Sequence, residues 1–483
     1  MHRSALFASI ALLLGATSGA QYDGETVLRF NVTEHATALA LADALDRLSG
    51  ASPVDVWAAT PDFVDIRLHQ DGASSLLKLL PPAAQQSYST LIPDLSAAVR
   101  ASRPRARPHS AVHPGHRDEK PESIARTIDV FFDDYQPLPV IVRWMRLMDS
   151  MFPFVCPVNL GKSAEGRDIT GLRLGVACKD DSGDGEPRKT ILIVGGLHAR
   201  EWISTSTVAY LAWSFISTYG KEHLVTHILD NFDLVLVPVV NPDGYEYTWG
   251  PDRLWRKTRQ GTGAPACRGL DLDRAFGYEW DSSTPDTCSE TYPGGAAFEA
   301  VEAVALANWA KKEMDEANSQ FIGFIDFHSY SQQVMYPFAY SCNTDPPNLE
   351  NLEEAAFHIS KAIRQTSGLN YNVDSACTGV GLDGAAAPRP RFLSGGGSAM
   401  DWFYHEIGAR YSYQIKLRDT GLYGFLLPKE HIRPTGEEMF EALKHVADFL
   451  LGNNGRESRG WPYTTHDSPS AGSGDEEKWA ELR

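Results

Sequence analysis

Three near-continuous apolar runs, Thr190–Val194, Leu234–Val240 and Phe321–Phe327, are separated by stretches with helical spacing. A strand with no polar alternation must be buried on both faces. That is the signature of a mostly parallel sheet covered by helices, an α/β fold. Helices are predicted over Trp202–Tyr219, Phe298–Glu316, Leu349–Thr366 and Gly436–Leu451, the last behind the start signal Pro434-Thr435. In such a sheet the strand C-termini line one edge, and ligand sites form there.

Upstream, residues 26–100 have a different grain. Val27–Val32, Val54–Ala58, Phe63–Leu68 and Ser87–Ile92 read as strands, and Ala36–Leu48 and Ala73–Leu80 as helices. The order βαββαβ suits a small α+β, ferredoxin-like sandwich. The chain of 483 residues has room for both units. We therefore expect a signal peptide at 1–20, a small domain at 21–102, an exposed linker at 103–126, a large domain at 127–452 and a disordered acidic tail at 453–483. The signal reading rests on basic His2 and Arg3, the apolar run Ala5–Leu14 and Ser18-Gly19-Ala20. The linker is rich in Pro, Arg and His, with Arg103, Arg105 and Arg107 as natural protease targets.

The apolar leader run is too short to span a bilayer, and no later stretch qualifies. A net charge of −18 argues against nucleic acid as a partner. A secreted or vacuolar-lumen protein is expected, and its six cysteines could form three disulfides. The one glycosylation sequon noted, Asn31-Val32-Thr33, falls in the segment expected to be removed.

His198 and Glu201 follow the first apolar strand directly, at i and i+3, and His328 ends the strand Phe321–Phe327. Two imidazoles and a carboxylate on neighbouring strand ends leave zinc one open position, the catalytic rather than the structural arrangement.

These residues resemble the zinc metallocarboxypeptidases of the pancreatic carboxypeptidase A/B type. The matching segments are LGKSAEGR at 160–167, HAREW at 198–202, NPDGY at 241–245, RLWRKTR at 253–259, DFHSYSQ at 326–332 and LRDTGLYGFLLP at 417–428. The resemblance spans about Thr127 to Leu451. It implies a mixed eight-stranded sheet flanked by helices, one Zn²⁺ on His198, Glu201 and His328, and an inhibitory propeptide upstream. It also implies Asp271 as the acid orienting His198, Arg256 as oxyanion stabiliser, and Arg200 and Arg253 along the substrate path. Arg274 would grip the substrate's terminal carboxylate, with Ser329 and Tyr330 in subsites. Cys267–Cys288 and Cys342–Cys377 match disulfides of the family, which leaves Cys156 and Cys178 flanking a predicted hairpin.

Three positions depart from the pattern. Active members carry a glutamate where this chain has Lys416. That glutamate moves protons between water and the leaving amine, help worth about 10²–10⁴-fold. Active members carry asparagine at Asp273, where an aspartate repels a substrate carboxylate. The capping tyrosine aligns with Phe392, which has no hydroxyl. The nearby specificity position falls on Ala399 or Met400, neither charged. The lysine together with a retained metal resembles an inactive fungal branch of the family associated with cell-wall organisation. The expectation is a monomeric pseudoenzyme that keeps zinc and binds peptide C-termini or a wall or protease partner. The alternative is an active enzyme releasing apolar C-terminal residues.

Overall fold

The computed structural model describes residues 21–49, 54–104, 130–176, 178, 187–281, 286–378 and 395–452. The expected signal peptide, most of the linker including Arg105 and Arg107, the acidic tail and Phe392 lie outside these residues.

The small domain runs β1 Glu25–Asn31, α1 His35–Ser49, β2 Asp55–Ala59, β3 Phe63–His69, α2 Gln70–Leu79, β4 Tyr88–Ile92 and α3 Leu95–Ser102. Its sheet order is β2-β3-β1-β4, all antiparallel, the ferredoxin-like arrangement. Strand alternation divides β1 between two jobs. Leu28 and Phe30 pack under α1 and α2, with Leu41, Leu45, Ile66 and Leu76. Val27 faces the other way, where Trp57, Ile92 and Leu95 form one core with Leu254, Tyr330, Phe425 and Leu426 of the large domain.

The large domain contains α4 Leu138–Met151, β5 Val155–Lys162, β6 Asp168–Leu174, β7 Arg188–Gly195, α5 Trp202–Thr218, α6 His223–Asn231 and β8 Phe232–Val237. It continues with α7 Pro242–Trp249, α8 Val301–Glu316, β9 Ser319–Ser329, β10 Gln333–Tyr336, α9 Leu349–Ser367, β11 Asn372–Ser375, β12 Tyr411–Leu417 and α10 Ile432–Leu450. The sheet order is β11-β10-β12-β9-β7-β8-β6-β5. Its centre, β12-β9-β7-β8, is parallel, and antiparallel pairs flank it. One face packs under α4, α5, α9 and α10, the other under α8. Three disulfides join Cys156 to Cys178, Cys267 to Cys288 and Cys342 to Cys377.

Several element ends differ from the sequence expectation by a few residues, and three of them have a plain local reason. Helix α8 starts at Val301 rather than Phe298, because Phe298 sits at φ 58°, outside helical space. Helix α10 starts at Ile432, ahead of Pro434, since a proline in the first turn forfeits no helical bond. Strand β8 stops at Val237 because Pro238 cannot donate to the ladder. At the linker, Arg103 is half-buried and its guanidinium donates to the carbonyls of Trp249 and Gly250, so it is held rather than presented.

Candidate metal site and pocket

Strands β7, β9 and β12 run side by side and bring their C-terminal ends to one edge. After β7 the chain turns through Gly196 at φ 63°. A Cβ there would lie 3.1 Å from the Pro238 carbonyl, so only glycine lets the turn approach so closely. The turn delivers His198, and Glu201 caps α5. His328 lies next to last in β9 and Lys416 next to last in β12, paired in register.

The donor atoms of His198, Glu201 and His328 lie within 4.8 Å of one another, all buried. His198 Nε2 is 2.9 Å from Asp271 Oδ1, and His328 Nε2 is 2.9 Å from Asp326 Oδ2. Each carboxylate is placed to accept from the Nε2–H, which turns both Nδ1 atoms towards Glu201. Those atoms are 3.0 Å apart, with Glu201 Oε1 2.9 Å from one and Oε2 3.2 Å from the other. Without a metal their focus calls for a proton: burial would lower the His328 imidazole, but Asp326 and Glu201 hold it well above its usual value, and a metal cation at the focus would take that proton's place. The donor set fits zinc: His198, Glu201 and His328 would hold it through two nitrogens and a carboxylate. Burial would raise the Glu201 carboxyl, but the flanking His198 and His328 rings hold it below its usual range.

Asp271 also binds two cations. Arg256 Nη2 donates to its Oδ2 at 2.9 Å, and Arg274 Nε lies 3.4 Å from the same oxygen. Burial would raise Asp271, but Arg256 and His198 keep it well below the carboxylate range. Beside them, Asp273 Oδ2 accepts from Gln414 Nε2 at 2.9 Å, and its Oδ1 is buried without a partner. Burial brings the Lys416 ammonium down to about 8, against the pull of Asp273 and Glu201.

A cavity of about 170 Å³ brings together His198, Glu201, His328, Arg256, Asp273, Arg274, Ser329, Tyr330 and Lys416. Asp271 stands behind it. Arg200 and Arg253 do not line it. Arg200 is 1% exposed and donates to both Asp55 oxygens of the small domain, at 2.7 and 3.0 Å. Arg253 lies against Trp202 and donates to the carbonyls of Arg200 and Phe425. Tyr330 donates to Asp65 of the small domain at 2.6 Å. Residues Val54 to Ala59 close one side of the cavity. Ala399 and Met400 are buried in the sheet core, and neighbouring Ser398 and Gly395 line the wall instead. Gln414 and Asp326 were not anticipated from the sequence. Each lies two residues before a recognised position on its strand, Lys416 or His328, and so shares its face.

An α/β domain with a His-Glu-His cradle at the C-terminal sheet edge is the architecture of a metallopeptidase. Residues 141–442 match the zinc carboxypeptidase family model. The chain belongs to the zinc carboxypeptidase family. It is 53% identical over 456 residues, 92% of this chain and 76% of the relative, to a protein of Sclerotinia sclerotiorum named inactive metallocarboxypeptidase ecm14. It is 50% identical over 448 residues, 90% and 74% of the two chains, to the protein of that name from Talaromyces stipitatus. The crystal structure of thrombin-activatable fibrinolysis inhibitor superposes with a TM-score of 0.69 at 25% identity, covering 89% of this chain and 100% of that one.

Proposed function

We propose that this chain is an inactive carboxypeptidase-like protein that holds one zinc ion on His198, Glu201 and His328 and acts by binding. The observation that carries this reading is Lys416, beside the cradle on the strand next to His328. Bound zinc would supply Lewis-acid polarisation and a more acidic water. With its ammonium near 8, Lys416 is mostly protonated at neutral pH and below, so it has no lone pair to accept a proton. Asp273 adds a second obstacle by placing a carboxylate beside Arg274, where a peptide's terminal carboxylate would have to sit.

The signal peptide, the basic linker and the six paired cysteines support secretion or delivery to a vacuolar lumen. The small domain fits the role of a propeptide, since it takes up Arg200 and Tyr330. Asn31 is exposed, as a glycan acceptor requires. Peptide C-termini are the ligand class that the family resemblance suggests, with a role in cell-wall organisation and a monomeric state. The test is metal analysis of purified chain. One zinc per chain, lost in His198→Ala, is expected; far less than one in the unaltered protein would refute the reading.

A further inference from the structure

The cavity is lined by a cation and a carboxylate, both half-buried, that make no ion pair with each other. The Lys416 ammonium lines it and makes no ion pair with any described residue. Asp273 lines it too, with Oδ1 buried and unpartnered. Each feels the other's charge, yet no ion pair joins them. An unsatisfied buried polar group costs about 1–3 kcal/mol, and more when charged. An anion would satisfy Lys416 and be repelled by Asp273. A cation would do the reverse. A molecule with both charges on neighbouring atoms satisfies both.

We propose that the cavity of the uncut chain binds a free α-amino acid, its carboxylate towards Lys416 and Arg256 and its ammonium on Asp273 Oδ1. This rests on reading the pocket as a binding rather than a catalytic site, and it names the ligand. Three further features agree. Asp326 deepens the negative side: its own Oδ1 is unpartnered, and oxygens of Asp273 and Asp326 lie within 4.8 Å of each other and of a His328 ring nitrogen. The cavity, about 170 Å³, has room for a molecule of amino-acid size. Met335, Ala339 and Ala376 make part of the wall apolar, which suits a small aliphatic side chain. A peptide would also need the path past Arg200 and Tyr330, and Asp55 and Asp65 occupy both while the small domain is docked.

Calorimetric titration of the zinc-loaded, uncut chain with L-valine, N-acetyl-L-valine and L-valinamide tests this. Valine should bind, and each derivative should bind about tenfold or more weakly, the worth of one lost charged hydrogen bond. Lys416→Met should cut the preference for valine over valinamide severalfold, Arg256 keeping the rest, and Asp273→Asn should erase the preference for valine over N-acetylvaline. Because each readout is a ratio within one protein, a general loss of affinity in a variant does not obscure it. No binding of valine, or equal binding of N-acetylvaline, overturns the proposal. A second titration, of linker-cut chain with a short peptide bearing a free C-terminus, separates the two readings. If that peptide binds and valine does not, the amino-acid proposal alone fails; if neither binds, the binding function fails with it.

Discussion

Replacing Asp55 with alanine should loosen the small domain from the large one by a large and calculable amount. The Arg200 guanidinium is 1% exposed, with Phe425 4.3 Å from its centre, and both Asp55 oxygens accept from it. Its Nε already lacks a partner. Asp55→Ala therefore strands a buried cation, a change that costs roughly 3–5 kcal/mol. If the small domain docks only in the paired state, its dissociation constant should rise about 10²–10⁴-fold. Glu290 feels the same Arg200 charge and offers a substitute carboxylate, so the single variant should fall at the low end. Asp55→Ala/Glu290→Gln should reach the high end. The assay cuts the linker, immobilises the large domain and follows dissociation of the small one by interferometry. Burial would raise the Asp55 carboxyl, but Arg200 holds it below its usual value. A depressed carboxyl supports docking at every pH above its unfolded value of about 3.9 and loses that contribution as pH falls through the lower docked value. The Asp55 contribution to docking should thus be unchanged between pH 7 and 5. A double variant that dissociates within a few-fold of the unaltered domain would refute the argument.

Two further outcomes concern the fold. Asp401 is fully buried, and burial raises its carboxyl to about 7 although the Ala339 and Tyr340 amides donate to it. A raised acid pKa gives stability that is present below about pH 4 and lost as pH rises towards 7, up to roughly 4 kcal/mol here. Denaturation midpoints should fall across that window and flatten in Asp401→Asn; an unchanged slope would contradict the assignment. Phe324 is fully buried and stacks on Phe403 at 4.1 Å, so Phe324→Ala should cost about 3–5 kcal/mol in denaturant while native chain keeps its zinc.

Much of the large domain was legible in the sequence because its signals are local. Thr190–Val194 and Phe321–Phe327 are apolar without alternation, and they became the central parallel strands β7 and β9. His198, Glu201 and His328 were legible because His198 and Glu201 follow one such strand within six residues and His328 ends the other. The misplaced ends turned on single backbone features, such as the φ of Phe298, that periodicity does not encode. Arg200 and Arg253 match substrate-path residues of the family, and in this structure one is paired to Asp55 and the other holds backbone carbonyls. Those partners come from distant elements, and no local pattern announces a contact across 145 residues of chain. Gln414 was within reach, since strand alternation places it beside Lys416, but its use depends on where the loop sets Asp273.

The central claim is that the chain retains the metal cradle and has lost the base. Its most direct test is turnover of a peptide with a free apolar C-terminus by zinc-loaded protein cut in the linker and freed of the small domain. No hydrolysis above background is expected at pH 5 to 7, since Lys416 puts an amine where the reaction needs a carboxylate to accept the water's proton. Hydrolysis that a chelator abolishes and zinc restores would contradict it.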